Sequence, residues 1–189
     1  MTSQAELLAA IADRLETAII PYMVVGSVAA SFHGEPRTTV DIDIVIDPSA
    51  DALRRFVAAL PPDAYYVDES AALEAFHRRS SFNVIEQATG WKVDLLIRRD
   101  RPFSRVEFER RLRAPILNRQ TPVSTAEDTI IAKLEWAVAG ESERQLRDVA
   151  RILAVSGETL DRQYLDHWIS ELGIEVAWQR AKELARGDR

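Results

Sequence analysis

The sequence predicts an α/β (α+β) chain: a mixed β-sheet with flanking helices, followed by a C-terminal helical region. Three observations predict it. Short runs of alternating apolar residues recur in the first hundred positions, and amphipathic stretches of helical period lie between them. After Asp100 the pattern is almost wholly helical. A chain of 189 residues can bury one good core. The division expected is a core over residues 1–100 and a mainly helical region over 101–189 that packs on it.

The elements follow in order. Ser3 and Glu6 suit a capping box, and Leu7, Leu8, Ile11, Leu15 and Ile19 hold helical spacing up to Pro21. Tyr22–Val25 is a short strand, Gly26-Ser27 a turn, and Val28–His33 a short helix. Gly34-Glu-Pro36 is a loop, leading through Arg37-Thr-Thr39 to a strand at Asp41. Asp47-Pro48 reads as an N-cap and first helical residue, with Leu53, Phe56, Val57 and Leu60 as the apolar stripe that follows. A short strand is expected within Asp63–Val67, and a helix over Glu69–Arg79 that buries Leu73 and Phe76. Ser80–Gln87 and Trp91–Ile97 form a hairpin about Ala88-Thr-Gly90. Beyond Asp100, Pro115–Val123 carries at most one short strand. Ser124 and Glu127 suggest a capping box opening a helix to Ala139. Further helices are expected over Ser142–Val155, Asp161–Leu172 and Ile174–Ala185, with Trp136, Trp168 and Trp178 as packing residues.

Composition narrows the function classes. Hydrophobic residues make up 47% and charged residues 29%, the balance of a folded chain and not a disordered one. No run of eighteen apolar residues suggests a membrane span, and Met1–Glu6 lacks the basic start of a signal peptide. The absence of cysteine excludes disulfides and thiolate zinc sites, and His33, His77 and His167 show no ligand spacing. A cytoplasmic protein with no membrane partner is expected. The net charge of −6 argues against coating nucleic acid by bulk electrostatics. Between Arg98 and Arg119, however, eight arginines face three acids, a local net charge of +5. Such a segment suits phosphate or RNA, or is simply the solvated face of a helix.

The chemistry concentrates in Asp41-Ile-Asp-Ile-Val-Ile-Asp47. Ile42, Ile44 and Ile46 share one face of a strand, and Asp41, Asp43 and Asp47 fall on the other. Carboxylates spaced i, i+2 on one face repel each other, so a cation between them makes physical sense. Mg²⁺ is the natural one, being hard and oxygen-seeking. Asp94, in Trp91-Lys-Val-Asp-Leu-Leu-Ile97, offers a third carboxylate pointing away from the more apolar face. Gly26-Ser27, between a strand and a helix start, offers free N–H groups to an anion. Asp47 is left out of the metal site because a cap explains it. Taken alone, Asp41 and Asp43 would equally suit an exposed strand kept soluble by charge.

Together these residues resemble the nucleotidyltransferase superfamily with the polymerase-beta-like fold. Its signature is matched by Val25, Gly26-Ser27, Asp41-Ile-Asp43 and the lone Asp94. The local form with Gly26-Ser27, His33-Gly34, Arg37, Thr39 and Asp41-Ile-Asp43 is similar to the AbiEii-type toxin-like subgroup of toxin–antitoxin systems. The likeness is good from Leu7 to Asp94 and looser to Leu153.

The resemblance implies an Mg-dependent nucleotidyltransferase (Mn²⁺ being the other candidate ion) that uses an NTP such as ATP by a two-metal mechanism. Asp41, Asp43 and Asp94 would hold the metal. Gly26, Ser27, Arg37 and Thr39 would contact phosphate or order the loop around it. Lys133, at the edge of an apolar stripe of Ile130, Leu134, Ala137 and Val138, would act in catalysis and nucleotide binding, since a Lys there can neutralise triphosphate charge. A snorkelling lysine at a helix edge is the other account of it. Asp148 would orient Lys133 or act as base, or else pair with Arg144 or Arg151 along its own helix. The implied acceptor is an RNA such as tRNA, or a protein, with a cognate antitoxin as partner. The alternatives are an antibiotic-modifying nucleotidyltransferase acting on a small hydroxylated molecule, and a non-catalytic, antitoxin-like partner-binding module.

Overall fold

A computed structural model describes residues 3–36, 39 and 41–187; Arg37 therefore lies outside the described residues. In chain order the elements are α1 (Gln4–Thr17), β1 (Tyr22–Val25), α2 (Gly26–His33), β2 (Asp41–Ile46), α3 (Ala50–Ala58), β3 (Tyr65–Tyr66), α4 (Glu69–Arg78), β4 (Ser81–Glu86), β5 (Lys92–Ile97), α5 (Pro102–Arg110), β6 (Leu112–Ile116), β7 (Arg119–Val123), α6 (Ala126–Gly140), α7 (Glu143–Ser156), α8 (Arg162–Leu172) and α9 (Glu175–Gly187). They form two units, one of Met1–Val25 with Thr39–Val123, the other of Gly26–Thr38 with Ser124–Arg189.

The first unit is built on a seven-stranded mixed sheet of order β3-β4-β5-β2-β1-β7-β6. Its centre follows from the alternation: Ile42, Ile44 and Ile46 of β2 and Val93, Leu95 and Ile97 of β5 are buried, as are Phe82 and Val84 of β4. On this side α4 packs on β4 and β5 and against α3. Helix α1 starts with the expected capping box, Ser3 with Glu6, and buries Leu7, Leu8, Ile11 and Leu15. Arg119 on β7 ties it down, reaching Asp13 at 2.7 Å and Glu16 at 3.0 Å. The second unit is helical. Within it α2 packs on α6 and α7, α6 on α7, and α7 on α9. His33 Nε2 donates to the Ser124 carbonyl at 2.7 Å, and Ser156 Oγ donates to the His33 carbonyl at 2.6 Å.

Several local expectations are corrected. Ile19 is 82% exposed at φ 59°, because α1 already ends at Thr17 and the residue belongs to the turn. Ser49, not Asp47, caps α3, accepting from Ala52 N at 3.2 Å. Asp47 instead accepts from Arg98 Nε at 2.9 Å, a stronger partner than a frayed helix end. Helix α4 buries Ala72 and Ala75, leaving Leu73 and Phe76 half-buried. The residues around Pro115 form a complete hairpin, β6 against β7, with turn residues Leu117 and Asn118 at positive φ. Its β7 extends the sheet by pairing parallel with β1 at Val24 and Val123, so residues up to Val123 fall with the strands and not with the helices. Thr125, one residue later than expected, caps α6, while Ser124 Oγ bonds Thr129 Oγ1 at 2.7 Å. Trp136 is 55% exposed, whereas Trp178 is buried.

Candidate active site

Parallel pairing of β2 and β5 sets the site. The register places Asp41 opposite Lys92 and Asp43 opposite Asp94, and the antiparallel β1 places Val25 opposite Asp43. Since side chains alternate along a strand, Asp41, Asp43, Lys92 and Asp94 project from the same side of the sheet, away from the buried isoleucines. Three of the expected site residues, Asp41, Asp43 and Asp94, are thus brought onto one face. Asn83 of β4, the cross-strand partner of Asp94, joins them there.

Lys92 was not singled out in the sequence, and it supplies the cation of this face. Its Nζ donates to Asp94 Oδ2 at 2.8 Å and lies 3.9 Å from Asp41 Oδ1. The hydrogen bond to Asp94 holds the ammonium above its ordinary pKa, burial works against it, and the charges of Asp94, Asp41 and Asp43 add to the rise. A signal was present in the chain, since Lys92 stands two residues before Asp94 and must share its face.

The donor chemistry fits a divalent ion. All three candidates are carboxylates, the hard ligands that Mg²⁺ takes in small number alongside substrate phosphate. Among the described residues no group of three or more acid or histidine side chains is drawn together closely enough to hold a metal unaided. The carboxylates are instead spread about the lysine ammonium.

Gly26 follows Val25 directly and takes φ 63°, a left-handed conformation that glycine adopts without a Cβ penalty. The chain there turns from β1 straight into α2, so that Gly26 and Ser27 form the start of the helix. Thr39 Oγ1 donates to the Asp41 carbonyl at 3.3 Å, beside the carboxylate strand.

Lys133 and Asp148 belong to the helical unit. Lys133 Nζ donates to Asp148 Oδ2 at 2.8 Å and to Gln145 Oε1 at 2.9 Å, and Arg151 Nη1 stands 3.5 Å from Asp148 Oδ1. Side-chain exposures of 5% and 2% rule out a snorkelling lysine. Gln145 had no signal in the sequence beyond its place three residues before Asp148. A small crevice lined by Ala30, Ser31, Glu35, Asp148 and Arg151 adjoins the pair. A larger cavity of about 590 Å³ in the same unit, between Leu160, Trp178 and Lys182, is lined by none of the candidate residues.

The arginine-rich segment is largely engaged with its own chain. Arg98 holds Asp47, Arg105 holds Asp100 at 2.6 Å, Arg119 holds Asp13 and Glu16, and Arg111 lies over the Phe108 ring.

No family model matches the chain, and no curated protein matches it. Solved structures do. ANT(2'')-Ia in complex with adenylyl-2''-tobramycin has a TM-score of 0.57 at 12% identity, over 94% of this chain and 99% of that one. LnuA, a lincosamide antibiotic adenylyltransferase seen with lincomycin bound, has a TM-score of 0.53 at 15% identity, over 82% and 98%. An antigenic nucleotidyltransferase-like protein from Paracoccidioides brasiliensis has a TM-score of 0.55 at 14% identity, over 94% and 91%. Similarity at such low identity speaks for architecture alone, and the architecture of this chain is the nucleotidyltransferase-like fold, a mixed sheet with flanking helices.

Proposed function

We propose that the chain is an Mg²⁺-dependent nucleotidyltransferase that moves a nucleoside monophosphate from an NTP to an acceptor hydroxyl. The observation that carries this is the pairing of Asp43 with Asp94, with Asp41 on the same face, on a sheet of nucleotidyltransferase-like fold.

In this proposal Asp41, Asp43 and Asp94 hold the metal. Bound there, Mg²⁺ (or Mn²⁺) would supply Lewis-acid stabilisation of the charge that develops during transfer. Gly26 and Ser27 offer backbone N–H groups and a hydroxyl to the terminal phosphates. Lys133, its charge maintained by Asp148, contributes to nucleotide binding, and Arg37 and Thr39 order the loop before the carboxylates. The acceptor oxygen attacks the α-phosphorus in line, the bond to the β-phosphate oxygen breaks, and pyrophosphate leaves. The acceptor proton passes to a carboxylate.

The proposed acceptor is RNA or protein, with the chain acting as the toxin of a toxin–antitoxin pair. What supports this is the resemblance of the Gly26-Ser27, His33-Gly34 and Asp41-Ile-Asp43 form to the AbiEii-type toxins. A small hydroxylated acceptor is the second proposal, favoured by two observations. At least five of the eight arginines that would serve RNA, Arg98, Arg101, Arg105, Arg111 and Arg119, are bound internally, and the similar structures ANT(2'')-Ia and LnuA carry a tobramycin adduct and lincomycin.

The test is incubation with Mg²⁺, α-labelled NTPs and, separately, total RNA, total protein and a panel of aminoglycosides and lincosamides. Label is expected on one acceptor class with the intact chain. Asp43→Ala should lose it by roughly a hundredfold or more while melting no lower. Transfer by Asp43→Ala at the intact rate would refute the proposal, and so would no transfer to any class.

A further inference from the structure

We propose that Lys92 is the built-in counter-cation of the carboxylate face and competes with the divalent ion for it, so that metal loads only as the ammonium leaves. The inference rests on the nucleotidyltransferase reading of Asp41, Asp43 and Asp94, and it concerns what holds that site before metal arrives.

Three features of the structure carry it. Lys92 lies on the same side of the sheet as the carboxylates because its register partner is Asp41 and its i+2 neighbour is Asp94. Its ammonium sits between these two, 2.8 Å from Asp94 Oδ2 and 3.9 Å from Asp41 Oδ1, where it takes up an oxygen that a metal would need. The acid side chains are spaced about the ammonium, and no three of them are gathered for a metal unaided.

The geometry also lets the lysine go. Its side chain is 35% exposed, and those of Asp41 and Asp94 are 51% and 27% exposed. A partly exposed ion pair is weak, and a four-carbon stem can carry the ammonium to water at little cost. The lysine then screens the mutual repulsion of Asp41, Asp43 and Asp94 and withdraws when a doubly charged ion, with its nucleotide, supplies a stronger field.

The experiment is a Mn²⁺ titration of the full chain, followed by the electron paramagnetic resonance of free Mn²⁺, for the intact protein and for Lys92→Met, Lys92→Gln, Lys92→Arg and Asp43→Ala. Removing the charge should tighten Mn²⁺ binding by roughly two- to fivefold, the worth of one partly exposed ion pair. Without divalent ions, Lys92→Met and Lys92→Gln should melt lower than the intact protein and gain more on adding Mn²⁺. Lys92→Arg, which keeps the charge, should bind Mn²⁺ as the intact protein does or more weakly. Equal or weaker binding by both uncharged variants would overturn the competition and leave the metal site standing. Absence of Mn²⁺ binding in the intact protein, unchanged in Asp43→Ala, would overturn the site itself and this inference with it.

Discussion

Lys133 and Asp148 form an ion pair of 2.8 Å between α6 and α7, with side chains only 5% and 2% exposed. Taking two charges out of water is costly, and the cost is tolerated only while each has the other. Gln145 and Arg151 supply further polar contacts.

Asp148→Ala should therefore destabilise the chain by about 3–5 kcal/mol, because it strands a buried ammonium. A double variant, Lys133→Met with Asp148→Leu, should recover much of that loss. Urea unfolding of the single and double variants measures both. If the double variant is as unstable as Asp148→Ala alone, packing and not charge is what the pair provides.

Gly34 ends α2 against the backbone of α7. A Cβ at this position would stand 2.9 Å from Ile152 N and 3.0 Å from the Arg151 carbonyl carbon, neither of which can rotate aside as a side-chain tip could. Gly34→Ala should cost about 1–3 kcal/mol by forcing α2 and α7 apart, visible as a lower melting temperature. An unchanged melting temperature would mean that the two helices slide freely.

Burial lowers the pKa of His33, outweighing the raising effects of its bond to the Ser124 carbonyl and of the Glu127 charge. The folded protein thus favours the neutral ring, while the unfolded chain takes up a proton near the ordinary value of 6.5. The stability from this group is complete above that value and is lost as pH falls through the lower folded pKa. His33→Gln keeps a donor for Ser124 without a titrating ring. Its stability should fall less steeply than that of the intact protein below pH 6.5. Parallel melting curves against pH would show that His33 is not the source of acid sensitivity.

Much of the architecture was legible because it depends on short-range pattern. Alternation in Asp41–Ile46 assigned the isoleucines to the core and the aspartates to the other face, as found. The capping box of Ser3 and Glu6 and the turn at Gly90 were equally local. Errors arose where two local chemistries competed. Asp47 had the sequence of a cap, but Arg98, distant in the chain, binds its carboxylate instead. Ser124 and Thr125 both suit a helix start, and only the backbone path chose Thr125.

From order and residue type alone came the faces of the strands, the Gly26-Ser27 turn, and three carboxylates of the kind that take a hard cation. Side-chain period and backbone propensity act over a few residues, so a linear sequence displays them. Register, burial and pairing join segments far apart, and these were settled in three dimensions. Asp43 came to stand opposite Asp94, Lys92 took its place between two aspartates, and Lys133 was withdrawn from water to meet Asp148. Each depends on the packing of whole strands and helices, whose energy is shared among many contacts and is written in no single motif.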